Sequence, residues 1–124
     1  MNFEDTLKKM IEAAAAAAQI HWNDFRTYAE QELKKLAEAG AQLETDYTAD
    51  MAAAELQQDV TKRDELKQKA SLRSQLAFDN LRLASEGVVT AVKADAKIAA
   101  QDAINAALGV LRAAINQSVG IALL

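Results

Sequence analysis

The feature that most constrains this chain is the absence of proline from a sequence that keeps a helical spacing of apolar side chains almost throughout. Proline breaks helix interiors, so a chain without it can continue one helix for many turns. Strand-like alternation of apolar and polar residues is absent. Only four glycines are present, which argues against a turn-rich sandwich or barrel. We therefore expect an all-α fold.

The length of 124 residues fits one helical domain, residues 1–124, and is too short for two hydrophobic cores. The chain is alanine-rich, with 28 alanines among its apolar residues. No cysteine is present, which excludes disulfides and thiolate metal sites. The charged residues, 26% of the chain, are too many for a membrane-embedded bundle.

The apolar residues recur with a period of eleven, which is a hendecad repeat. Eleven residues in three helical turns is about 3.67 residues per turn, and this period keeps an apolar seam nearly straight in a weakly right-handed coiled coil. Two rows of this kind run through the second half of the chain: Leu66, Ala77, Val88, Ala99, Val110 and Ile121, and Ala70, Leu81, Val92, Ala103 and Ala114.

The most polar stretch of the chain lies near its middle and predicts a single reversal near residues 59–62. Thr61, followed by Asp64 and Glu65, resembles a helix start. We therefore expect a long antiparallel hairpin with one arm at about 3–59 and the other at about 62–123. In this register residue i lies beside roughly residue 122 − i. The register pairs Asp59 with Arg63 and Glu55 with Lys67, and it brings Asp50 near Arg73.

Gly40 and Gly87 leave an alternative open, since each weakens a helix interior by about 1 kcal/mol. As bends, they would curve the arms of the hairpin. As turns, they would give a compact up-down four-helix bundle with helices at about 3–39, 41–59, 62–86 and 88–123. We expect Gly40→Ala to be neutral or stabilising if residue 40 lies within a helix, and harmful if it is a turn with positive φ.

A two-helix hairpin cannot bury both faces of its arms, so we expect it to assemble with further copies into a multi-helix bundle. The C-terminal arm is apolar on nearly every side, which is typical of a helix that is buried on several sides. The residues that we predict for an interface between copies are Ile104, Leu108, Leu111, Arg112, Ile115 and Val119.

The only aromatic cluster consists of His21, Trp22, Phe25 and Tyr28. One interpretation is a contact site or a pocket for a small apolar ligand built around Trp22. The other, which we favour, is a core layer that packs against alanines of the opposite arm.

The sequence predicts neither an enzyme nor a cofactor. It has no Gly-x-Ser-x-Gly elbow and no glycine-rich phosphate loop. A single histidine cannot supply a di-iron or other histidine-based metal site. The net charge of −4 and the lack of a dense basic face argue against nucleic-acid binding.

The charge is divided unevenly between the two halves. Residues 1–60 carry five Lys/Arg against twelve Asp/Glu, a net −7, and residues 61–124 carry nine against six, a net +3. The halves should therefore attract each other, within a chain or between chains.

We expect a non-enzymatic, self-assembling structural protein, a building block of a homo-oligomer. One alternative is an amphipathic coat protein for lipid or polymer granules. The chain resembles the granule-coating phasins, but in composition only. A membrane or granule surface is therefore the less favoured partner. Another alternative is a four-helix bundle that binds an apolar ligand near Trp22. No signal-peptide pattern or convincing membrane span is apparent, so the expected location is the cytoplasm, with signal-less export or a virion left open.

Overall fold

The structure is a computed structural model that describes all 124 residues, and it is all-α, as the sequence predicts. No strand is present, and short 3₁₀ turns lie at Gln19–His21 and Ala94–Ala96. The α-helices are α1 (Phe3–Ala18), α2 (Trp22–Glu55), α3 (Val60–Ala84), α4 (Glu86–Ala91) and α5 (Lys97–Val119).

The first reversal of the chain lies between α1 and α2, at Gln19–His21. The amino group of Met1 lies 2.9 Å from Oε1 of Glu44, although 43 residues separate them. A continuous helix would hold these residues roughly 65 Å apart. Helix α1 therefore folds back along α2, and the first predicted arm, 3–59, is not one continuous helix.

The second reversal joins α2 to α3 and lies close to the predicted tip, between the end of α2 at Glu55 and the start of α3 at Val60. Asp59 caps α3, because its Oδ1 accepts hydrogen bonds from the backbone N–H groups of Thr61 and Lys62 at 2.9 and 3.3 Å. The predicted helix start at Thr61 was therefore two residues late.

The predicted pairing beside this tip is confirmed at two of its three positions. Glu55 forms an ion pair with Lys67, and Arg73 Nη1 lies 2.9 Å from Asp50 Oδ2. The third pair, Asp59 with Arg63, is wrong. Asp59 caps the helix, and Arg63 donates instead to the carbonyl oxygen of Gln57 at 2.9 and 3.1 Å.

The third reversal lies at residues 92–96, where Val92 and Lys93 adopt extended backbone conformations between α4 and α5. Beyond it, α5 returns along α3. Gln75 Nε2 donates to the carbonyl oxygen of Leu123 at 3.1 Å, and the Arg112 guanidinium lies 5.4 Å from the ring centre of Phe78. The second predicted arm, 62–123, therefore consists of antiparallel segments as well.

Neither Gly40 nor Gly87 is a turn, so the predicted boundaries of the four-helix alternative are also wrong. Gly40 lies inside α2, and Gly87 lies in α4, just after the break at Ser85. The backbone of Ser85 keeps helical angles, so α3 and α4 continue in nearly one direction.

Helices α2 and α5 run parallel to each other in the middle of the molecule. The Met1 amino group contacts both Glu44 of α2 and Ser118 of α5, and Gly40 lies against Leu111 one turn or more before those positions. Helix α1 covers one side of this central pair, and α3 with α4 covers the other.

The hydrophobic core lies along the central pair. Alanines of α1 and α5 allow the helices to approach closely, and larger side chains fill the layers between them. The largest fully buried apolar side chains are Met10, Leu33, Val88, Ile104, Leu111 and Ile115.

The stretch Ala94–Val119, which includes α5, is long and apolar enough by composition to cross a membrane, with a mean hydropathy of 1.2. The core helix of a folded bundle passes the same test. Seven residues of α5 are buried against the other helices, and this packing accounts for the apolar character of the helix.

We predict that Gly40→Ala lowers the free energy of unfolding by about 1–2 kcal/mol, although residue 40 lies within a helix. A Cβ at this position would lie 2.7 Å from Cδ1 of Leu111, which is fully buried. The matched control is Gly109→Ala in α5, where a Cβ meets no atom within 4 Å. The control should stabilise the chain by about 0.5–1 kcal/mol. Urea unfolding measures both.

A double-mutant cycle tests whether the contact with Leu111 is what makes Gly40→Ala destabilising. Shortening the opposing side chain with Leu111→Val should make Gly40→Ala less damaging, because the added methyl group then gains room. If Gly40→Ala stabilises the chain as much as Gly109→Ala does, the close approach of α2 and α5 is incorrect.

Candidate interaction surface

The residues predicted for an interface between copies lie mostly inside the chain's own core. Ile104, Leu108, Leu111 and Ile115 are each at most 5% exposed, because α1, α2 and the α3–α4 segment surround α5. A second copy has no access to these four side chains in this fold. The apolar surface that led us to expect a partner for α5 is therefore covered within one chain.

The other two predicted interface residues lie nearer the surface. Arg112 is exposed and stacks over Phe78 of α3 as a cation–π pair, and Val119 is half-buried at the end of α5. The backbone after Val119 turns at Gly120, whose φ of +79° is a conformation that favours glycine as a helix C-cap.

The structure divides the aromatic cluster between the core and the surface. Phe25 is buried, and the ring of Trp22 meets it edge-on at 5.8 Å between ring centres. Tyr28 is exposed, and His21 Nδ1 lies 3.2 Å from Asp24 Oδ2 at the start of α2. The predicted core layer therefore holds for Phe25 but not for Tyr28.

A cleft of about 470 Å³ adjoins this cluster, between the start of α2 and the turn that precedes α5. Phe25 and Tyr28 line it on one side, whereas Trp22 and His21 do not line it. Its remaining lining residues are Asp24, Ala91, Val92, Lys93, Asp95 and Ala96.

The most prominent exposed apolar surface lies on α3 and was not predicted. Leu72, Leu76 and Leu83 are 59%, 63% and 59% exposed. At 3.6 residues per turn their directions fall within about 40° of one another, so they form a single row along the helix. We call these three residues the leucine face.

The sequence alone could not separate this face from the core face of the same helix. The buried residues of α3 are Ala70, Ser74 and Phe78, on the side opposite the leucine face. Both rows follow helical spacing, and the leucine row is the more apolar of the two. The signal was present in the sequence, but which row the chain covers depends on where α2 and α5 lie.

Two of the basic residues beside the leucine face have partners within the chain. Arg73 pairs with Asp50 of α2, and Arg82 lies 3.7 Å from Asp79 of its own helix. Part of the attraction expected between the acidic and basic halves is thus satisfied between α2 and α3. No three His, Asp or Glu side chains lie close enough together to hold a metal ion.

The ion pair at the tip of the α2–α3 hairpin is the one place where a titrating group is clearly perturbed. The hydrogen bond and the charge of Lys67, helped by the charge of Arg63, lower the pKa of Glu55 below its ordinary value. A carboxylate whose pKa is lowered by folding stabilises the fold above the pKa of the unfolded chain. This contribution is lost as the pH falls through the lowered pKa.

We predict that Lys67→Met returns the pKa of Glu55 towards the ordinary glutamate range, because it removes the hydrogen bond and the nearest positive charge. Carbon-detected NMR of the side-chain carboxyl group during an acid titration measures this shift. Lys69→Met is the matched control, since that residue contributes nothing to the perturbation of Glu55. An equal shift in both variants would contradict the pairing.

The function of this surface has to be inferred from the chain's own residues. Comparison with protein families, with curated proteins and with solved structures finds no match for this chain. The leucine face and the aromatic cleft are therefore the two features on which a functional proposal can rest.

Proposed function

We propose that this protein is a non-enzymatic, self-associating structural protein whose copies meet through the leucine face of α3. The observation that carries the proposal is the row of three leucines, each about 60% exposed, on one side of a long regular helix. Single exposed leucines are common on protein surfaces, but an aligned row on one helix marks a contact surface.

The leucine face supplies the apolar part of a helix-to-helix contact. Full burial of one leucine side chain contributes about 1.5–3 kcal/mol, and a second copy would bury the exposed part of three such side chains on each partner. Helix-to-helix packing through rows of leucines at this spacing is a recurrent mode of association.

A second copy suits the leucine face better than a lipid surface does. Peripheral membrane helices combine an apolar row with free basic side chains that meet anionic headgroups. Here two of the flanking basic residues, Arg73 and Arg82, are engaged by Asp50 and Asp79, and only Lys69 beside the row forms no ion pair. The acidic helix α2 packs beside α3 and adds a negative charge that anionic lipid repels.

We predict that the triple variant Leu72→Gln, Leu76→Gln, Leu83→Gln weakens self-association at least about tenfold, since it removes the apolar contact while leaving the core side of α3 unchanged. Light scattering over a dilution series measures the association. Each series starts from the freshly isolated monomer fraction. The matched control is Leu56→Gln with Val60→Gln, which removes exposed apolar residues from the hairpin tip.

The control pair should associate like the parent chain, and all three proteins should keep the same helicity. A parent chain that stays monomeric at every concentration would overturn the proposal. Binding of single chains to vesicles of neutral or anionic lipid, without self-association, would favour the granule-coat function instead.

A second candidate function is the binding of a small apolar ligand in the cleft beside Phe25 and Tyr28. The specific observation is a cleft of about 470 Å³ that has an aromatic wall and a charged rim, which includes Lys93 and Asp95. Ligand sites combine these features, with apolar walls and a few polar groups at the edge.

We predict that an apolar probe such as 8-anilinonaphthalene-1-sulfonate changes the fluorescence of Trp22 if the cleft binds ligands, because Trp22 packs against the Phe25 wall. Tyr28→Ala should abolish the change, since it removes half of the aromatic wall. The leucine-face triple variant is the control and should respond like the parent chain. An unchanged Trp22 spectrum would remove this candidate.

A further inference from the structure

The turn between α1 and α2 has an unusual backbone conformation. Gln19 has φ 53° and ψ −125°, and it is the only residue other than glycine with positive φ in the chain. An L-amino acid with a side chain is strained in this region, whereas glycine is not. Three residues later, at Trp22, α2 begins.

The local sequence on both sides of this turn favours a helix that continues through it. Residues 13–18 are six consecutive alanines, the strongest helix formers, and neither glycine nor proline occurs before Gly40. The sequence therefore predicts one continuous helix through residue 19. The observed break depends on the packing of α1 against α2 and α5, not on turn-forming residues.

Two large apolar side chains are exposed at the same end of the molecule. Ile20, within the turn, is 86% exposed, and Ile98, near the start of α5, is 78% exposed. The turn packs against α5, which places both isoleucines at the end of the bundle where α1 and α2 meet. Nothing in the single chain covers this end.

From these observations we propose that two copies of the chain exchange α1. In each copy the turn at Gln19–His21 straightens, so that residues 3–55 form one helix of about 80 Å. Helix α1 then occupies, on the second copy, the place that it occupies on its own chain in the monomer. A short, strained hinge of this kind favours domain swapping.

The exchange preserves the contacts of α1 and adds to them. The Met1 amino group meets Glu44 of the partner subunit and Ser118 of the partner subunit in place of its own. The strain at Gln19 is relieved in both copies. The two-fold axis passes beside the hinge, so the uncovered ends, with Ile20 and Ile98, face each other and lose water-exposed apolar area.

The swapped dimer is independent of the leucine face, and the experiment separates the two. The background is the triple variant Leu72→Gln, Leu76→Gln, Leu83→Gln, in which leucine-face association is weakened at least about tenfold. Asp5→Cys and Gln117→Cys are introduced on separate chains of this cysteine-free protein. Both positions line one cleft between α1 and α5 and are exposed, so a short bis-maleimide can bridge them.

The two chains are unfolded together, refolded at high concentration, and treated with the bis-maleimide. The expected product is a cross-linked pair that contains one chain of each kind, because the α1 of one copy lies on the α5 of the other. A chain that carries both cysteines serves as the control: its monomer fraction should cross-link within one chain.

Substitutions at the hinge give a second measurement in the same background. Gln19→Gly should weaken the dimer at least about 100-fold, since glycine fits the turn without strain and disfavours the continuous helix in both copies. Gln19→Ala is the matched variant. It keeps the strain at positive φ and favours the helix, so its dimer should be as strong as that of the parent or stronger.

Three outcomes would overturn the exchange of α1. The background variant could stay monomeric after refolding at high concentration. It could dimerise without forming the mixed cross-linked pair. Gln19→Gly and Gln19→Ala could dimerise equally well. None of these outcomes bears on the leucine face, whose failure would appear only in the dilution series of the parent chain.

Discussion

The close approach of α2 and α5 at Gly40 and Leu111 is the contact on which the rest of the fold depends. Two helices that lie side by side and run parallel cannot be joined by a short loop, because the end of one is far from the start of the other. The chain must return between them, and α3 with α4 makes that return. Helix α1 then covers the side of the pair that remains open.

The same contact helps to explain why α5 is so apolar. Helix α5 touches α1 on one side, α2 on another and the α3–α4 segment on a third, so most of its large apolar side chains are covered within the chain. Its solvent face is one line along the helix that includes Asp102, Asn105, Gly109 and Arg112, and the remaining sides pack on the chain. The sequence revealed that α5 is buried on several sides, but not that its own chain supplies all of the neighbours.

What the sequence predicted correctly follows from local physical chemistry. The all-α class follows from helical spacing without proline, and the reversal close to residues 59–62 follows from the most polar stretch of the chain, although its cap is Asp59 rather than Thr61. The Glu55–Lys67 and Asp50–Arg73 pairs follow from the register beside that tip. Each of these inferences depends on residues that are near one another in the sequence or just across a turn.

What the sequence did not predict depends on long-range packing. The turns at Gln19–His21 and at residues 92–96 contain no glycine or proline, and both stretches read as helix. They turn because the apolar faces on either side are buried more completely in a folded bundle than in two long rods. Gly40 was judged by helix propensity alone, since the position of Leu111 opposite it was unknown.

A conflict between local preference and the fold is informative about function, since most positions of a folded chain satisfy both. At residue 19 the fold requires a conformation that suits glycine, and the chain has glutamine there. Glycine would stabilise the monomer and would also weaken a helix through this position. Compared with glycine, glutamine destabilises the turn of the monomer and favours a helix through this position. It therefore reduces the free-energy difference between the turn and the continuous helix.

The leucine face and the hinge would have different consequences for assembly if both operate. Exchange of α1 closes on itself, because each copy gives one helix and receives one, and so it yields a dimer. The leucine face lies on α3, which takes no part in the exchange and stays exposed on both halves of that dimer. Each swapped dimer would therefore carry two further contact surfaces, and pairing through them would extend the assembly beyond two chains. A chain with only one of these contacts would stop at the dimer, whereas the combination would allow the proposed assembly to grow.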